Sequence, residues 1–247
     1  MLLDGKNAVI YGGGGTIGGA VARAFAREGA KLFLAGRTAE TLEAVAADIR
    51  AAGGEAEVAV VDALDERAVD EHAAAVGRID ISFNLISLGD VQGTPLIEME
   101  VEDFMAPVAT AVRSTFLTAR AAGRAMVRQG SGVILIFGGS GEPLRDYSIG
   151  GLQVAFEALE AMRRQFASEL GRHGVRVVTL RTSGVIDSIP EGYDGREALV
   201  GWLEGMTLLG RGALLEDVGN VAAFVASDKA RTMTAATANI SCGALID

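Results

Sequence analysis

Lysine is the scarcest charged residue of this chain. Among 247 residues only Lys6, Lys31 and Lys229 are lysines, and none stands four residues after Tyr11, Tyr147 or Tyr193, the chain's tyrosines. Chemistry that needs a tyrosine and a lysine one turn apart on a single helix face is therefore excluded. Basic runs are missing too. The net charge is −10 and the isoelectric point near 4.8, so a nucleic-acid surface is excluded and a solvated acidic surface is expected. Cys242 is the only cysteine, which rules out an internal disulfide. It lies in a glycine-bounded segment and is predicted to be a small buried residue. The two histidines, His72 and His173, are expected on polar helix faces or ends, away from any cleft. No His, Cys or Asp cluster has metal-ligand spacing. No apolar run approaches a membrane span, and Met1–Lys6 lacks the apolar core of a signal peptide. A soluble, cytoplasmic protein is expected.

What is present is apolar material and glycine. Hydrophobic residues make up 49% and the mean hydropathy is +0.31, enough for a substantial core and too much for disorder. Thirty-three glycines and four prolines suit many tight strand-to-helix turns joined to uninterrupted helices. Strands are predicted at 6–11, 31–35, 55–61, 79–86, 132–137, 175–181 and 236–240. Between them lie helical stretches: 17–28, one from Thr38 as N-cap to about 52, one capped by Asp65 to about 76, 101–129 with a bend or restart at Pro107, 150–171, 196–206 and 215–227. Continuous apolar strands alternating with helices describe an α/β fold, a doubly wound parallel sheet of about seven strands covered on both faces. No repeat or linker divides it, so one domain is expected over 1–247.

The chain is organised around Ala8–Ala22. There an apolar strand runs into Gly12-Gly13-Gly14-Gly15-Thr16-Ile17-Gly18-Gly19 and then an alanine-rich helix. Glycines let backbone approach a ligand closely, and the helix start offers unpaired N–H groups and partial positive charge to a phosphate. Strand, turn and helix together form the dinucleotide-binding context. NAD sites carry an acidic residue at the end of the second strand. Here Gly36-Arg37 stands instead, a guanidinium able to pair with an added phosphate. NADP(H) is therefore predicted over NAD(H).

With these residues in view, the chain resembles the short-chain dehydrogenase/reductase family over essentially its whole length. The turn resembles the family's Thr-Gly-x-x-x-Gly-x-Gly motif at Gly12 and Gly18, and departs from it at Tyr11 and Thr16. Asp62 falls where the family's aspartate contacts adenine. Asn84 matches the first residue of Asn-Asn-Ala-Gly, followed here by Leu85-Ile86-Ser87. Leu209-Gly210-Arg211 and Ser241–Leu245 resemble the family's last helix–strand unit. The resemblance implies a cofactor site of Gly12, Gly14, Gly15, Thr16, Ile17, Gly18, Arg37, Asp62, Ala63, Asn84 and Ile86.

The resemblance also implies a Rossmann fold and a proton relay, and at the relay positions this chain differs. Leu152 falls where the family's tyrosine belongs and Phe156 where its lysine belongs. The serine position falls near Gly139, beside Ser140, and the helical asparagine of the relay aligns with Ala111. Leu152, Phe156, Leu159, Met162 and Phe166 form a helical apolar stripe. The last three read as core; Leu152 and Phe156 are either core or an apolar floor beneath a nicotinamide. The hydroxyls near the expected cleft are Ser140, Tyr147 and Tyr193, with Ser140 and Tyr147 the catalytic candidates; Tyr147 either folds into the cleft or is an exposed loop tyrosine. Glu142, Asp146 and Asp187 are possible acids or plain loop carboxylates.

Ser183–Gly212 resembles the family's substrate lid. Its Tyr193, Trp202, Leu203 and Met206 either suit an apolar or aromatic small-molecule substrate or pack the lid down. The expected activity is NADP(H)-dependent oxidation or reduction of a small carbonyl or activated alkene through a non-standard site. The alternatives are a redox-silent cyclase, isomerase or lyase, and a non-catalytic cofactor-binding protein. The family commonly forms tetramers through its fourth and fifth helices, and the helices around Phe116 and Phe166 are apolar enough for a tetramer or dimer.

Overall fold

The computed structural model describes residues 1–144 and 147–246; Asp146 lies outside them. Seven parallel strands form one sheet in the order β3-β2-β1-β4-β5-β6-β7. The strands are β1 (Asn7–Tyr11), β2 (Lys31–Gly36), β3 (Glu55–Val60), β4 (Ile81–Asn84), β5 (Gly132–Gly138), β6 (Val175–Arg181) and β7 (Ala236–Asn239). The helices are α1 (Thr16–Arg27), α2 (Ala39–Ala51), α3 (Glu66–Val76), α4 (Val101–Gln129), α5 (Leu152–Leu170), α6 (Arg196–Gly205) and α7 (Leu215–Ala226).

Strand alternation sorts the core into two layers. Ala8 and Ile10 of β1 face α1, α2 and α7, where Val21, Phe25, Leu42 and Val218 pack. Val9 and Tyr11 face α3, α4 and α5, where Val69, Leu117, Met126 and Leu159 pack. Strand order reverses between β1 and β4, since β2 lies on one side of β1 and β4 on the other. In open parallel sheets the crevice beyond the carboxyl ends of the strands at this reversal is the natural ligand site.

Element boundaries agree with the sequence to within one or two residues, and three local expectations need correction. Pro107 neither bends nor restarts α4 enough to divide it; the helix is continuous from Val101 to Gln129. Pro107 cannot donate to the Asp103 carbonyl, and its buried ring packs beside Gly151. Thr38 is the residue before α2, yet its hydroxyl caps nothing, and its carbonyl instead accepts from the Thr41 hydroxyl at 3.1 Å. Cys242 is only half-buried. Asp65 caps α3 as expected, accepting from the amides of Arg67 and Ala68 at 2.9 and 3.1 Å. Among the described residues no helix is long and apolar enough to cross a membrane.

Candidate cofactor and active site

The site begins where β1 stops. Gly12 takes a left-handed backbone (φ 79°) and lies against the Leu85 carbonyl just past β4; a side chain here would collide with it. The amides of Gly12 and Gly13 both donate to the Ala35 carbonyl, at 2.8 and 3.2 Å, and that of Gly15 donates to the Gly12 carbonyl at 3.0 Å. Gly18 packs so closely under the turn that a Cβ would fall on the Gly12 carbonyl, and one at Gly14 would meet Thr41. The glycines therefore serve the turn's own packing as well as ligand approach.

The turn leaves donors over. Gly15 caps α1 without a side chain, and the first amides of a helix have no partner within it. Thr16 and Ile17 begin α1 and Gly18 follows, so their amides point toward the space above the strand ends. Gly15 and Thr16 are exposed. This is the cradle that a pyrophosphate requires.

Neighbouring strand ends complete the rim. Arg37 directly follows β2; it is exposed and has no hydrogen bond or ion pair among the described residues. Val61 donates its amide to the Gly36 carbonyl at 2.9 Å, which brings the turn after β3 beside Arg37. There Asp62 is exposed and accepts from the Leu64 amide at 2.9 Å, while Ala63 is buried. Asn84 ends β4. Its Oδ1 accepts from the Ile86 amide at 3.3 Å, and its Nδ2 donates to Ser114 Oγ at 2.9 Å and Thr115 Oγ1 at 3.3 Å. Two α4 hydroxyls thus fix the amide orientation; nothing local in the sequence marks these partners, thirty residues away.

Tyr11 and His72 require a larger correction. His72 is buried rather than on a polar face. Its Nδ1 shares a 3.3 Å hydrogen bond with the Tyr11 hydroxyl, and the two rings meet edge-on at 5.6 Å. Burial, aided by the Asp70 carboxylate, raises the Tyr11 phenol well above its usual range, and burial lowers the His72 imidazole. His173 is half-exposed and takes a hydrogen bond from Arg172 Nε.

The β5–α5 side is built differently. Ser140 Oγ accepts from the Glu142 amide at 3.0 Å, tying the serine into its own loop. Tyr147 is half-buried and its ring rests on Trp202 of α6, centroids 5.7 Å apart. Burial, then Tyr193 and Asp90, raises its phenol. No hydrogen bond joins Ser140 to Tyr147 among the described residues. Leu152 is buried, and Phe156 is half-buried against the core layer that α4 and α5 share. The Phe156 ring occupies the space over Gly139, where a Cβ would lie 2.6 Å from it. Asp187 accepts from the Leu215 amide at 2.8 Å, so it holds the start of α7. Among the described residues no three His, Cys, Asp or Glu side chains could hold a metal ion.

Comparison with known proteins follows this geometry. A family profile described as "Enoyl-(Acyl carrier protein) reductase" matches residues 14–244. The chain is 31% identical to sorbitol dehydrogenase of Cereibacter sphaeroides, covering 98% of each chain. It is 30% identical to D-threitol dehydrogenase of Mycolicibacterium smegmatis, over 98% of this chain and 93% of that protein. Among solved structures it resembles a gluconate 5-dehydrogenase from Burkholderia cenocepacia in complex with NADP and tartrate. The TM-score is 0.88 at 26% identity, over 98% of this chain and 96% of that one.

Proposed function

We propose that this chain, which belongs to the short-chain dehydrogenase/reductase family, is an NADP(H)-dependent oxidoreductase that acts on a small carbonyl or activated alkene through a non-standard active site. One observation carries the cofactor choice: Arg37 at the end of β2, exposed and without a hydrogen bond or ion pair among the described residues, where the position holds no carboxylate. A guanidinium there pairs with a ribose phosphate in bidentate fashion, whereas an acidic residue would repel it. The residues present fit a dinucleotide. The amides of Thr16, Ile17 and Gly18 would hold its pyrophosphate, Arg37 its ribose phosphate, Asp62 and Ala63 its adenine, and Asn84 and Ile86 the inner ribose side. The related gluconate 5-dehydrogenase structure, described as a complex with NADP, supports this assignment.

When bound, such a cofactor supplies hydride to, or takes it from, the substrate. This chain's residues must orient the substrate and manage the accompanying proton. Ser140 and Tyr147 are the hydroxyls proposed for this role, Ser140 beside the family's serine position and Tyr147 five residues before its tyrosine position. Burial, then Tyr193 and Asp90, raises the Tyr147 phenol, which leaves it protonated at neutral pH and a weaker donor than a lysine-assisted tyrosine. Without the family's tyrosine–lysine pair, the loss in rate is about 10²–10⁴-fold, which favours easily reduced substrates. Leu152 and Phe156 form an apolar floor, 183–212 a lid, and the exposed Phe116, 6.4 Å from Phe166 on the α4–α5 face, supports assembly into a dimer or tetramer.

A redox-silent enzyme is the second reading. The Phe156 ring seated on Gly139 favours it, because both relay positions are then apolar and mutually packed. Titrating NADPH and NADH side by side, then following NADPH absorbance with a panel of ketones, aldehydes and activated alkenes, separates the two. Tighter NADPH binding with substrate-dependent oxidation supports the oxidoreductase. Product formation independent of nicotinamide supports the redox-silent enzyme. Equal affinity for both nucleotides would remove the NADP(H) assignment.

A further inference from the structure

A doubly wound sheet consists of two halves, and each holds one mononucleotide of a dinucleotide at the ends of its strands. Here β1, β2 and β3 form one half, and β4, β5 and β6 the other. The first half has polar groups to offer. Among the described residues, Gly19 is the first of α1 whose amide finds an acceptor, the Gly15 carbonyl at 2.7 Å. The amides of Thr16, Ile17 and Gly18 therefore stay open to a ligand. Gly15, Thr16, Arg37 and Asp62 are exposed, and Arg37 has no hydrogen bond or ion pair among the described residues. Bonds from such donors to phosphate oxygens are charge-assisted and are worth about tenfold to a hundredfold each in affinity.

In the second half the corresponding groups are engaged or apolar. Asn84 donates from Nδ2 to Ser114 and Thr115 and accepts from the Ile86 amide. The Leu85 amide donates to the Tyr11 carbonyl at 2.8 Å, and that of Thr182 to the Gly138 carbonyl at 3.0 Å. Past β6, the Ile186 amide donates to the Ala213 carbonyl at 2.9 Å. Ser188 gives both its amide and its hydroxyl to the Val185 carbonyl, at 3.1 and 2.7 Å. Leu152 is buried and the Phe156 ring is seated over Gly139, so little of either is left to cover a nicotinamide ring. Ser140 keeps a proton to donate, but one neutral hydrogen bond changes affinity by only about two- to tenfold.

We infer that the crevice recognises the phosphoadenosine half of its ligand and gains little from the nicotinamide half. The ligand class is an adenosine 2′-phosphate with a 5′-pyrophosphate, whether or not a nicotinamide ring follows. ADP-ribose 2′-phosphate, which lacks that ring, would occupy the site nearly as well as NADPH and compete with it. The inference rests on the cofactor reading proposed above and adds which part of the molecule is held. It applies to the oxidoreductase and to the redox-silent enzyme alike, since both present the same strand ends.

Calorimetry on the full chain would compare NADPH, ADP-ribose 2′-phosphate, NADH, ADP-ribose and reduced nicotinamide mononucleotide. ADP-ribose 2′-phosphate is expected to bind within about threefold of NADPH, and the mononucleotide about a thousandfold more weakly than either. Phe156→Ala should keep the ratio of NADPH to ADP-ribose 2′-phosphate affinity within about twofold. The wild-type comparison does not depend on that variant folding. NADPH tighter than ADP-ribose 2′-phosphate by about tenfold or more would overturn the inference. So would mononucleotide binding within about tenfold of NADPH, or a Phe156→Ala loss of about tenfold confined to NADPH. The pair NADH and ADP-ribose reads the same contrast without the 2′-phosphate. Equal affinity for NADPH and NADH would therefore remove the NADP(H) assignment, while like affinities of NADH and ADP-ribose would still sustain recognition through the adenosine half. Absence of binding by every nucleotide would overturn the inference together with the cofactor reading.

Discussion

The ends of β1 and β2 and the β5–α5 corner face the same crevice and are built from different materials. The first binds with backbone. Its proposed donors are amides at the start of α1, its shape comes from glycines packed on carbonyls, and Arg37 is the side chain on which the proposed cofactor choice rests. The second would depend on side chains, and the proposed non-standard site places Gly139, Leu152 and Phe156 at the relay positions. Backbone is common to every residue, so the turn tolerates Tyr11 and Thr16 in place of the usual threonine and glycine and still presents its amides. A relay of hydroxyl and ammonium has no such reserve, because changing the side chain removes the chemistry.

The largest expected effect tests whether the α5 side is held by side chains. Arg163 is buried on α5 and bonded to Glu160 at 2.7 Å, with the Thr237 hydroxyl 3.4 Å from the same carboxylate. Burial alone would raise the Glu160 carboxyl; the bonds from Arg163 and the Thr237 hydroxyl, with the Thr179 hydroxyl close by, outweigh it and hold the group below its ordinary range. Arg163→Leu should cost about 3–5 kcal/mol in urea unfolding, since it strands a buried charge. A carboxyl depressed in the folded state stabilises above the ordinary carboxylate range and loses that contribution as pH falls through the folded value. The acid limb of the stability curve should therefore flatten in Glu160→Gln.

Gly18→Ala comes next, and it should act on binding. Its Cβ would fall on the Gly12 carbonyl, displacing the turn whose amides form the cradle. NADPH affinity should drop by about 100-fold, roughly 2.7 kcal/mol, measured by calorimetry. A melting temperature as low as that of Arg163→Leu, with cofactor affinity intact, would erase the distinction between the two regions.

Gly139→Ser sharpens the comparison from the other side. Restoring a hydroxyl at this position sets its Cβ 2.6 Å from the Phe156 ring, and overpacking of that kind costs about 1–3 kcal/mol. Phe156→Leu should recover most of the loss, a coupling that a double-mutant cycle reads directly. Additive losses would mean that the two positions are independent. A smaller effect is expected at Arg37, where Arg37→Glu should reverse the NADPH-over-NADH preference by about tenfold or more, or about 1.4 kcal/mol, with little change in melting temperature because the side chain is exposed and unpaired.

What could be read in the sequence follows the same division. The strand positions and the glycine turn are legible because periodicity and punctuation are local signals, whereas the order of the strands in the sheet comes from the structure. The Asp65 cap was legible for the same reason, as its two acceptor contacts lie within three residues. Asn84 could be placed at a strand end, but its partners Ser114 and Thr115 lie across the fold. The meeting of Phe156 with Gly139 and of Tyr147 with Trp202 also depends on tertiary packing, which no spacing rule encodes. Pro107 reads as a break because a proline in a helical pattern ordinarily is one; α4 nevertheless runs through it, with the ring buried beside Gly151.

His72 misled most, and its pairing with Tyr11 gives the smallest and most delicate test. The residues are 61 apart in sequence, and α3 by itself reads as a polar helix. Tyr11 stands at the last position of β1, directly before the glycine turn, so its hydrogen bond to His72 lies beneath the cofactor cradle. Tyr11→Phe removes the hydroxyl and leaves a buried imidazole nitrogen unpartnered, which should cost about 1 kcal/mol. Burial depresses the His72 imidazole, so the neutral form belongs to the fold. Its contribution is complete above the ordinary imidazole range and declines as pH falls through that range toward the folded value. His72→Phe should therefore lessen the loss of stability between neutral and mildly acidic pH. If the turn truly binds by backbone alone, Tyr11→Phe will leave NADPH affinity within about twofold at neutral pH. A loss of tenfold or more would show that the cradle depends on a side-chain pair after all, and the two sides of the crevice would then differ in degree and not in kind.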